Sequence, residues 1–196
     1  MEVQRDFLFA TEIFKIELHN FNEVNDLLLN QYNSSQKFHQ QNAQKNRFVS
    51  MEHIPAAQYI LLRATAIVEA LTKQTFQIDA DNWWFNIINK GTAIETQNYS
   101  PGPVWSGIYY LSVPEKSGDL CFTHQRTHIK EPKITKSVKT FYYKYIGHNF
   151  KDHRYTPTPG MMYIFPSWLD HRTEVNNSSE TAITISFNLR YQFAIL

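Results

Sequence analysis

Pro159-Gly-Met-Met-Tyr-Ile-Phe-Pro-Ser-Trp-Leu-Asp-His171 is the stretch whose reading decides the fold. A Pro-Gly pair sets a turn, Met161–Phe165 is an apolar run of strand length, and Pro166-Ser-Trp stops it. A strand that ends on a rigid Pro and aromatic wall presents its next side chain, His171, at a cavity mouth. Downstream, Glu180-Thr-Ala-Ile-Thr-Ile-Ser-Phe-Asn188 is a clear strand. Upstream, the run from Trp105 to Phe122 reads as a strand, a tight turn at Ser117-Gly118 and a return strand.

Working outward, strands are expected over Trp83–Ile88, Val104–Val113, Asp119–Phe122, Val138–Tyr145, Met161–Phe165 and Ala182–Leu189. Turn signals at Lys90-Gly91, Pro101-Gly102-Pro103, Ser117-Gly118, Gly147 and Pro157-Thr-Pro-Gly160 separate them. The N-terminal part differs. Phe7–Leu18 reads as an opening strand, and Asn20 or Asn22 caps a short helix with an apolar face of Val24, Leu27 and Leu28. Residues 31–50 are polar without a period and read as a loop. Pro55 starts the strongest helix, which runs to about Thr75 with Ile60, Leu61, Ala64, Ile67, Val68 and Leu71 on one stripe. That helix should cover one face of a sheet. Helices followed by many short strands predict a mainly β, closed or double-sheet architecture. No repeat or Gly/Ser linker divides the chain, so 1–196 is read as one domain. Within it, 1–77 is strand plus helical support and 78–196 is the β core.

Composition narrows the function classes. At 196 residues the chain can bury a sizeable core without staples. The single Cys121 leaves no intramolecular disulfide and no Cys-based zinc site, and it fits a reducing compartment. A net charge of +1 supplies no global field for nucleic acid or membrane. No apolar run approaches membrane-span length, and Met1–Asp6 has no signal-peptide character. The expectation is a cytoplasmic protein. The segment Lys130–Tyr145 mixes lysines with aromatics, as single-stranded nucleic acid binding would require. A lysine-blunted edge strand gives the same pattern and is preferred.

The histidines stand at 19, 39, 53, 124, 128, 148, 153 and 171. No pair has H-E-x-x-H spacing, and there is no H-x-E, P-loop, G-x-S-x-G or G-x-G-x-x-G. Only His171 has an environment that suggests a site. Trp83, Trp84, Trp105 and Trp168 are assigned to core and pocket wall.

Five blocks, Trp84–Gly91, Ser106-Gly-Ile-Tyr-Tyr-Leu111, Ser117–Phe122, Phe165-Pro-Ser-Trp-Leu-Asp-His171 and Ile185-Ser-Phe-Asn188, resemble the 2-oxoglutarate/Fe(II) oxygenases. The resemblance is to the branch common in marine bacteria and their tailed phages, and it covers nearly the whole chain. It implies a double-stranded β-helix, or jelly roll, with the N-terminal helices packed on one sheet. It also implies Fe(II) held by two His and one carboxylate, with open positions for co-substrate and oxygen.

The family's first ligands lie eight and six residues before the Ser of the Ser-Gly-Ile-Tyr-Tyr block. In this chain those positions are Asn98 and Ser100, neutral donors far weaker for Fe(II) than imidazole or carboxylate. No His occurs between His53 and His124, and Glu95 is the only carboxylate in reach. The distal ligand matches His171. The Arg that the family uses to hold 2-oxoglutarate falls at Ala182, in Ala182-Ile-Thr184, and Ala cannot supply a bidentate fork. Arg190 could substitute only by facing inward. Tyr110 is assigned to the pocket wall. In the Asp-Pro-Arg position, His124-Gln-Arg126 keeps Arg126 alone.

Two parts of one mechanism are therefore missing together. The first expectation is a catalytically degenerate binding or assembly module with a protein partner, no cofactor, and a virion location if phage-encoded. The alternative is an active dioxygenase using Fe(II) and 2-oxoglutarate with unorthodox ligands, into which His148 or His153 has moved. In either case Asn98, Ser100 and His171 should converge at one barrel mouth, within about 4–6 Å.

Overall fold

The computed structural model describes residues 11–39, 55–123 and 152–191. Two antiparallel sheets face each other. The larger is ordered β1-β7-β4-β9-β2, from Phe14–Glu17 (β1), Met161–Pro166 (β7), Trp105–Ser112 (β4), Ala182–Tyr191 (β9) and Phe76–Ile88 (β2). The smaller is ordered β3-β8-β5-β6, from Ile94–Gln97 (β3), His171–Thr173 (β8), Leu120–Thr123 (β5) and Asp152–Tyr155 (β6). Helices α1 (Phe21–His39) and α2 (Pro55–Thr72) lie on the larger sheet. This is the expected double-stranded β-helix with helices on one sheet.

Strand alternation divides the interior into two layers. Ile183, Ile185, Phe187 and Leu189 of β9 turn to the helices. There they meet Ile60, Leu61, Ala64 and Val68, the buried stripe of α2. The other face of the larger sheet carries Ile108, Tyr110, Met161, Tyr163 and Phe165, which pack with Leu120 and Phe122 of the smaller sheet. Gly107 permits the closest approach: a Cβ there would lie 2.1 Å from Cζ of Phe187, its cross-strand partner. Asn25 pins α1 to β4, donating to the Leu111 carbonyl at 2.8 Å and accepting from the Tyr109 hydroxyl.

Several boundaries differ from the sequence reading. Helix α1 runs nineteen residues to His39, through half of the expected 31–50 loop. Its first half is anchored by buried Val24 and Leu28, and residues 31–39 contain no Gly or Pro to stop propagation. Leu27 and Leu71, both placed on apolar faces, are 56% and 58% exposed. Strand β2 begins at Phe76, ahead of Trp83, with an irregularity between Ile78 and Trp83, so the expected division at 77/78 falls inside a strand. Strands β3, β6 and β8 were not expected. They are three or four residues long, too short for a period to register. Phe7–Ala10 of the opening strand, the strand at Val138–Tyr145, the Lys130–Tyr145 segment, the turn at Gly147, and His53, His124, Arg126, His128 and His148 lie outside the described residues. Among the described residues no helix is long and apolar enough to cross a membrane.

Candidate functional site

His171 opens β8 immediately after the Pro166–Asp170 turn. The turn is fixed by its backbone: Ser167 N–H donates to the Val104 carbonyl (3.0 Å), and the Ser167 carbonyl accepts from Tyr99 N–H (2.9 Å). Below it, the Ser106 hydroxyl donates to Asn188 Oδ1 at 2.6 Å and sits 2.7 Å from the Ser167 hydroxyl. The same turn therefore positions both His171 and Tyr99.

The His171 ring is 1% exposed. Its Nδ1 lies 3.0 Å from the Leu169 carbonyl, an acceptor, so Nδ1 carries the proton and Nε2 is a lone pair. Nε2 has no hydrogen-bond partner among the described residues. Burial holds the imidazole below the ordinary histidine value, against the Leu169 carbonyl and Asp170, which pull it up. Aromatic rings surround it, with centroids at 4.7 Å (Phe165), 5.5 Å (Tyr99) and 6.3 Å (Phe122).

Across the smaller sheet one register row runs Gln97, His171, Phe122, His153. Directly paired residues share a face, so Gln97 points inward beside His171. Tyr99, two residues on, joins it: Gln97 Nε2 donates to the Tyr99 hydroxyl at 2.9 Å. Tyr99 also meets Trp84 of β2 edge-on at 5.4 Å, closing the gap between the two sheets. Trp84 Nε1 donates to Asn86 Oδ1 (3.0 Å), and Asn86 Nδ2 donates to the hydroxyls of Thr184 (3.0 Å) and Ser186 (2.8 Å).

Asn98 and Ser100 do not join this cluster. Both are exposed. Asn98 donates to Asp170 Oδ1 at 2.6 Å and accepts from the Ser100 N–H at 3.3 Å. Both follow the end of β3 at Gln97, outside its pairing with β8. The expected convergence of Asn98 and Ser100 with His171 is thus replaced by Gln97 and Tyr99.

The other candidates fall as follows. Ala182 is buried at the start of β9, opposite Ile88. Arg190 is exposed eight residues further on, roughly 26 Å along the strand at about 3.3 Å per residue. Its guanidinium reaches the Gly102 turn, so it does not face inward at the Ala182 level. Tyr110 lies on the inward face of β4, packed on Tyr163 at 5.9 Å, and neither hydroxyl has a hydrogen-bond partner among the described residues. Burial raises both phenols, Tyr163 to about 12. His153 is exposed on β6 against Tyr155 at 4.6 Å, two strands from His171 with Phe122 between. Trp83 and Trp105 belong to the helix-side core, Trp84 to the mouth, and Trp168 is 42% exposed on the turn.

Two ion pairs stand on the outer face of the smaller sheet. Arg172 pairs with Asp152 at 2.8 Å and holds that carboxyl below its ordinary value, and Arg154 pairs with Glu174 at 3.2 Å. Cys121 sits on that face with its thiol pushed up to about 11 by burial, so it is not a thiolate nucleophile.

A facial iron site needs a second imidazole and a carboxylate beside His171. Among the described residues, its register partner is the carboxamide of Gln97 and the phenol of Tyr99 lies beside it. Among the described residues no three His, Cys, Asp or Glu side chains are grouped to hold a metal ion. His171 alone fits. The sequence missed Gln97 and Tyr99, which only a strand too short to recognise could have pointed to, and Asn86, Thr184 and Ser186, which alternation along the recognised strands at Trp83–Ile88 and Ala182–Leu189 could have found.

Compared with known proteins, residues 82–188 match a family model described as "Putative 2OG-Fe(II) oxygenase". Among solved structures, HygX from Streptomyces hygroscopicus with nickel and 2-oxoglutarate bound is 12% identical. The match covers 93% of this chain and 84% of that one, with a TM-score of 0.66. The non-heme alpha ketoglutarate dependent carbocyclase SnoK from nogalamycin biosynthesis is 12% identical over 91% of this chain and 79% of its own, with a TM-score of 0.63. A Pseudomonas putida prolyl-4-hydroxylase is 13% identical over 94% and 90%, with a TM-score of 0.56. No curated protein matches the chain.

Proposed function

The chain belongs to the 2OG-Fe(II) oxygenase family, and from that premise we propose that it keeps the fold as a binding or assembly module without the family's catalysis. One observation carries the reading: Gln97 stands opposite His171, with Tyr99 beside both. A neutral amide and a neutral phenol are poor exchanges for the imidazole and carboxylate that hold Fe(II). Ala182 supports the same reading, because a methyl group cannot fork onto a carboxylate. The partner in this reading is a protein. The resemblance to phage-borne relatives extends it to virion assembly, in the host cytoplasm or on the particle, which a proteome of purified virions tests.

A second reading, an active dioxygenase with unorthodox ligands, is favoured by a single observation. His171 presents a buried, unpartnered Nε2 while Nδ1 is held by a backbone carbonyl, the arrangement of a metal-binding imidazole. Anaerobic calorimetry with Fe(II) and 2-oxoglutarate separates the two. No stoichiometric complex is expected. A 1:1 complex with a visible charge-transfer band would overturn the non-catalytic reading.

A further inference from the structure

We propose that the cleft on the outer face of the smaller sheet, between β3, β8 and the turn joining β4 to β5, takes an extended lysine- or arginine-rich segment of the protein partner. The inference rests on the protein-partner reading and names the chemistry by which that partner is held.

Two local features build the cleft. Ile94 pairs with Thr173 and Gln97 with His171, so Glu95 and Thr96 together stand opposite Arg172 alone. Such a bulge bends its strand and re-aims its side chains. On the other side, the β4–β5 turn is tied to the segment after β8. Glu174 N–H donates to the Asp119 carbonyl and Asn177 N–H to the Lys116 carbonyl, both at 2.9 Å. Gly118 permits that tie, since at φ +93° a Cβ there would lie 2.4 Å from the Glu174 carbonyl oxygen. Between bulge and turn lies a cleft of about 780 Å³. Lys116 and Asn177 also line a second cleft of about 430 Å³, so the two adjoin.

Floor and charge set the occupant. Ile94 and Val175 line the first cleft, and Val175 is 43% exposed, an apolar surface that gains from a covering hydrocarbon chain. Arg172 is taken by Asp152, and Glu174 by Arg154. Glu95 and Asp119 remain in the first cleft and Glu115 and Glu180 in the second, against Lys116 where the two meet. Among the described residues none of these five forms an ion pair. Lys90, on the loop tied to Asn176, lines neither cleft. Four carboxylates against one ammonium draw cations and turn away a phosphate backbone. A lysine or arginine meets both conditions, laying its methylene stem on Val175 and bringing its charge to Glu95 or Asp119. An extended chain repeats such a side chain on one side about every 7 Å, which carries a second cation past Lys116 toward Glu115 and Glu180.

Fluorescence anisotropy with the full chain tests this. The probe is a labelled peptide alternating lysine with alanine, beside its glutamate and glutamine counterparts, spermine and Mg²⁺ as competitors. The lysine peptide should bind, and more weakly as salt is raised. Glu95→Lys with Glu180→Lys, both exposed, should weaken it at least about tenfold, the share of one charge-assisted hydrogen bond. Val175→Asn should weaken it about threefold through lost apolar cover, which binding by charge alone would not show. Glu23→Lys with Asp26→Lys, exposed on α1, should leave it unchanged. Failure to bind, equal loss in the α1 variant, equal binding of the glutamate or glutamine peptide, or displacement by Mg²⁺ or spermine at peptide concentrations overturns the cleft. The protein-partner reading survives those results, because a partner can dock elsewhere. A 1:1 complex with Fe(II) and 2-oxoglutarate would strike the non-catalytic reading without moving the peptide titration.

Discussion

The two faces of β9 differ in what the sequence had to preserve. Toward the helices stand Ile183, Ile185, Phe187 and Leu189; toward the smaller sheet stand Ala182, Thr184, Ser186 and Asn188. The first set buries aliphatic and aromatic surface against α2, where each side chain contributes roughly 1.5–3 kcal/mol. In the second set Thr184 and Ser186 bond to Asn86, and Asn188 bonds to Ser106. Stability therefore sits on the helix side. The inner face can exchange its chemistry while the fold remains, provided each buried donor keeps an acceptor.

The comparison breaks most visibly at Phe187. Its ring lies over Gly107 at a distance that any side chain larger than hydrogen would forbid. Phe187→Ala should cost about 3–5 kcal/mol in urea denaturation, the usual range for a fully buried aromatic. A loss under about 1 kcal/mol would mean that the helix-side layer is not the stabilising one.

On the inner face the expected loss is smaller and of another kind. Asn86→Ala strands the hydroxyls of Thr184 and Ser186 and should cost about 1–3 kcal/mol. Adding Thr184→Val and Ser186→Ala to the same chain should recover much of that loss, because only the Trp84 Nε1–H, on a half-buried residue, is then deprived of its Asn86 acceptor. If the triple variant is as unstable as the single one, the network matters for its shape and not for its hydrogen bonds.

These differences explain what was legible. Ile60, Leu61, Ala64 and Val68 announce a buried helix stripe, and Met161–Phe165 announces a central strand, because long periodic runs leave little choice. The fold followed from them and from the ordered blocks. His171 was legible for the same reason, standing just past a strand with a hard stop. Gln97 and Tyr99 were not, because β3 is four residues long and its face is set by pairing with a three-residue β8. That information lies in tertiary register, which spacing from Ser106 could fix only to within a residue.

Acidification sharpens the inner-face side of the comparison. The folded-state pKa of His171 is lowered, chiefly by burial. The unfolded chain therefore takes up a proton near the ordinary histidine value of about 6.5 while the folded chain does not. Its contribution to stability is full above that value and falls as pH drops toward the folded pKa, with a slope of at most about 1.4 kcal/mol per pH unit. Denaturation midpoints measured from about pH 7.5 to about pH 5 should decline in the native chain and decline less in His171→Phe. Equal slopes would show that His171 is not buried in its neutral form.

The smallest effect on the fold is expected at the positions to which the family spacing pointed. Asn98→His with Ser100→Asp changes two exposed side chains, and stability should move by no more than about 0.5 kcal/mol. The pair should also fail to bind Fe(II), because both positions are exposed past the end of β3 while His171 is buried. The same two groups placed at Gln97 and Tyr99 lie in the inward row, and Gln97→His with Tyr99→Asp should complete a facial set around Nε2 of His171. Calorimetric titration of both double variants with Fe(II), without oxygen, reads the contrast directly. Iron binding by the inward pair alone fixes the register of β3 on β8, with Gln97 opposite His171. Binding by the Asn98/Ser100 pair would mean that the exposed face of β3 and its following turn reaches the barrel interior, and that the row Gln97, His171, Phe122 is not the one that lines the mouth.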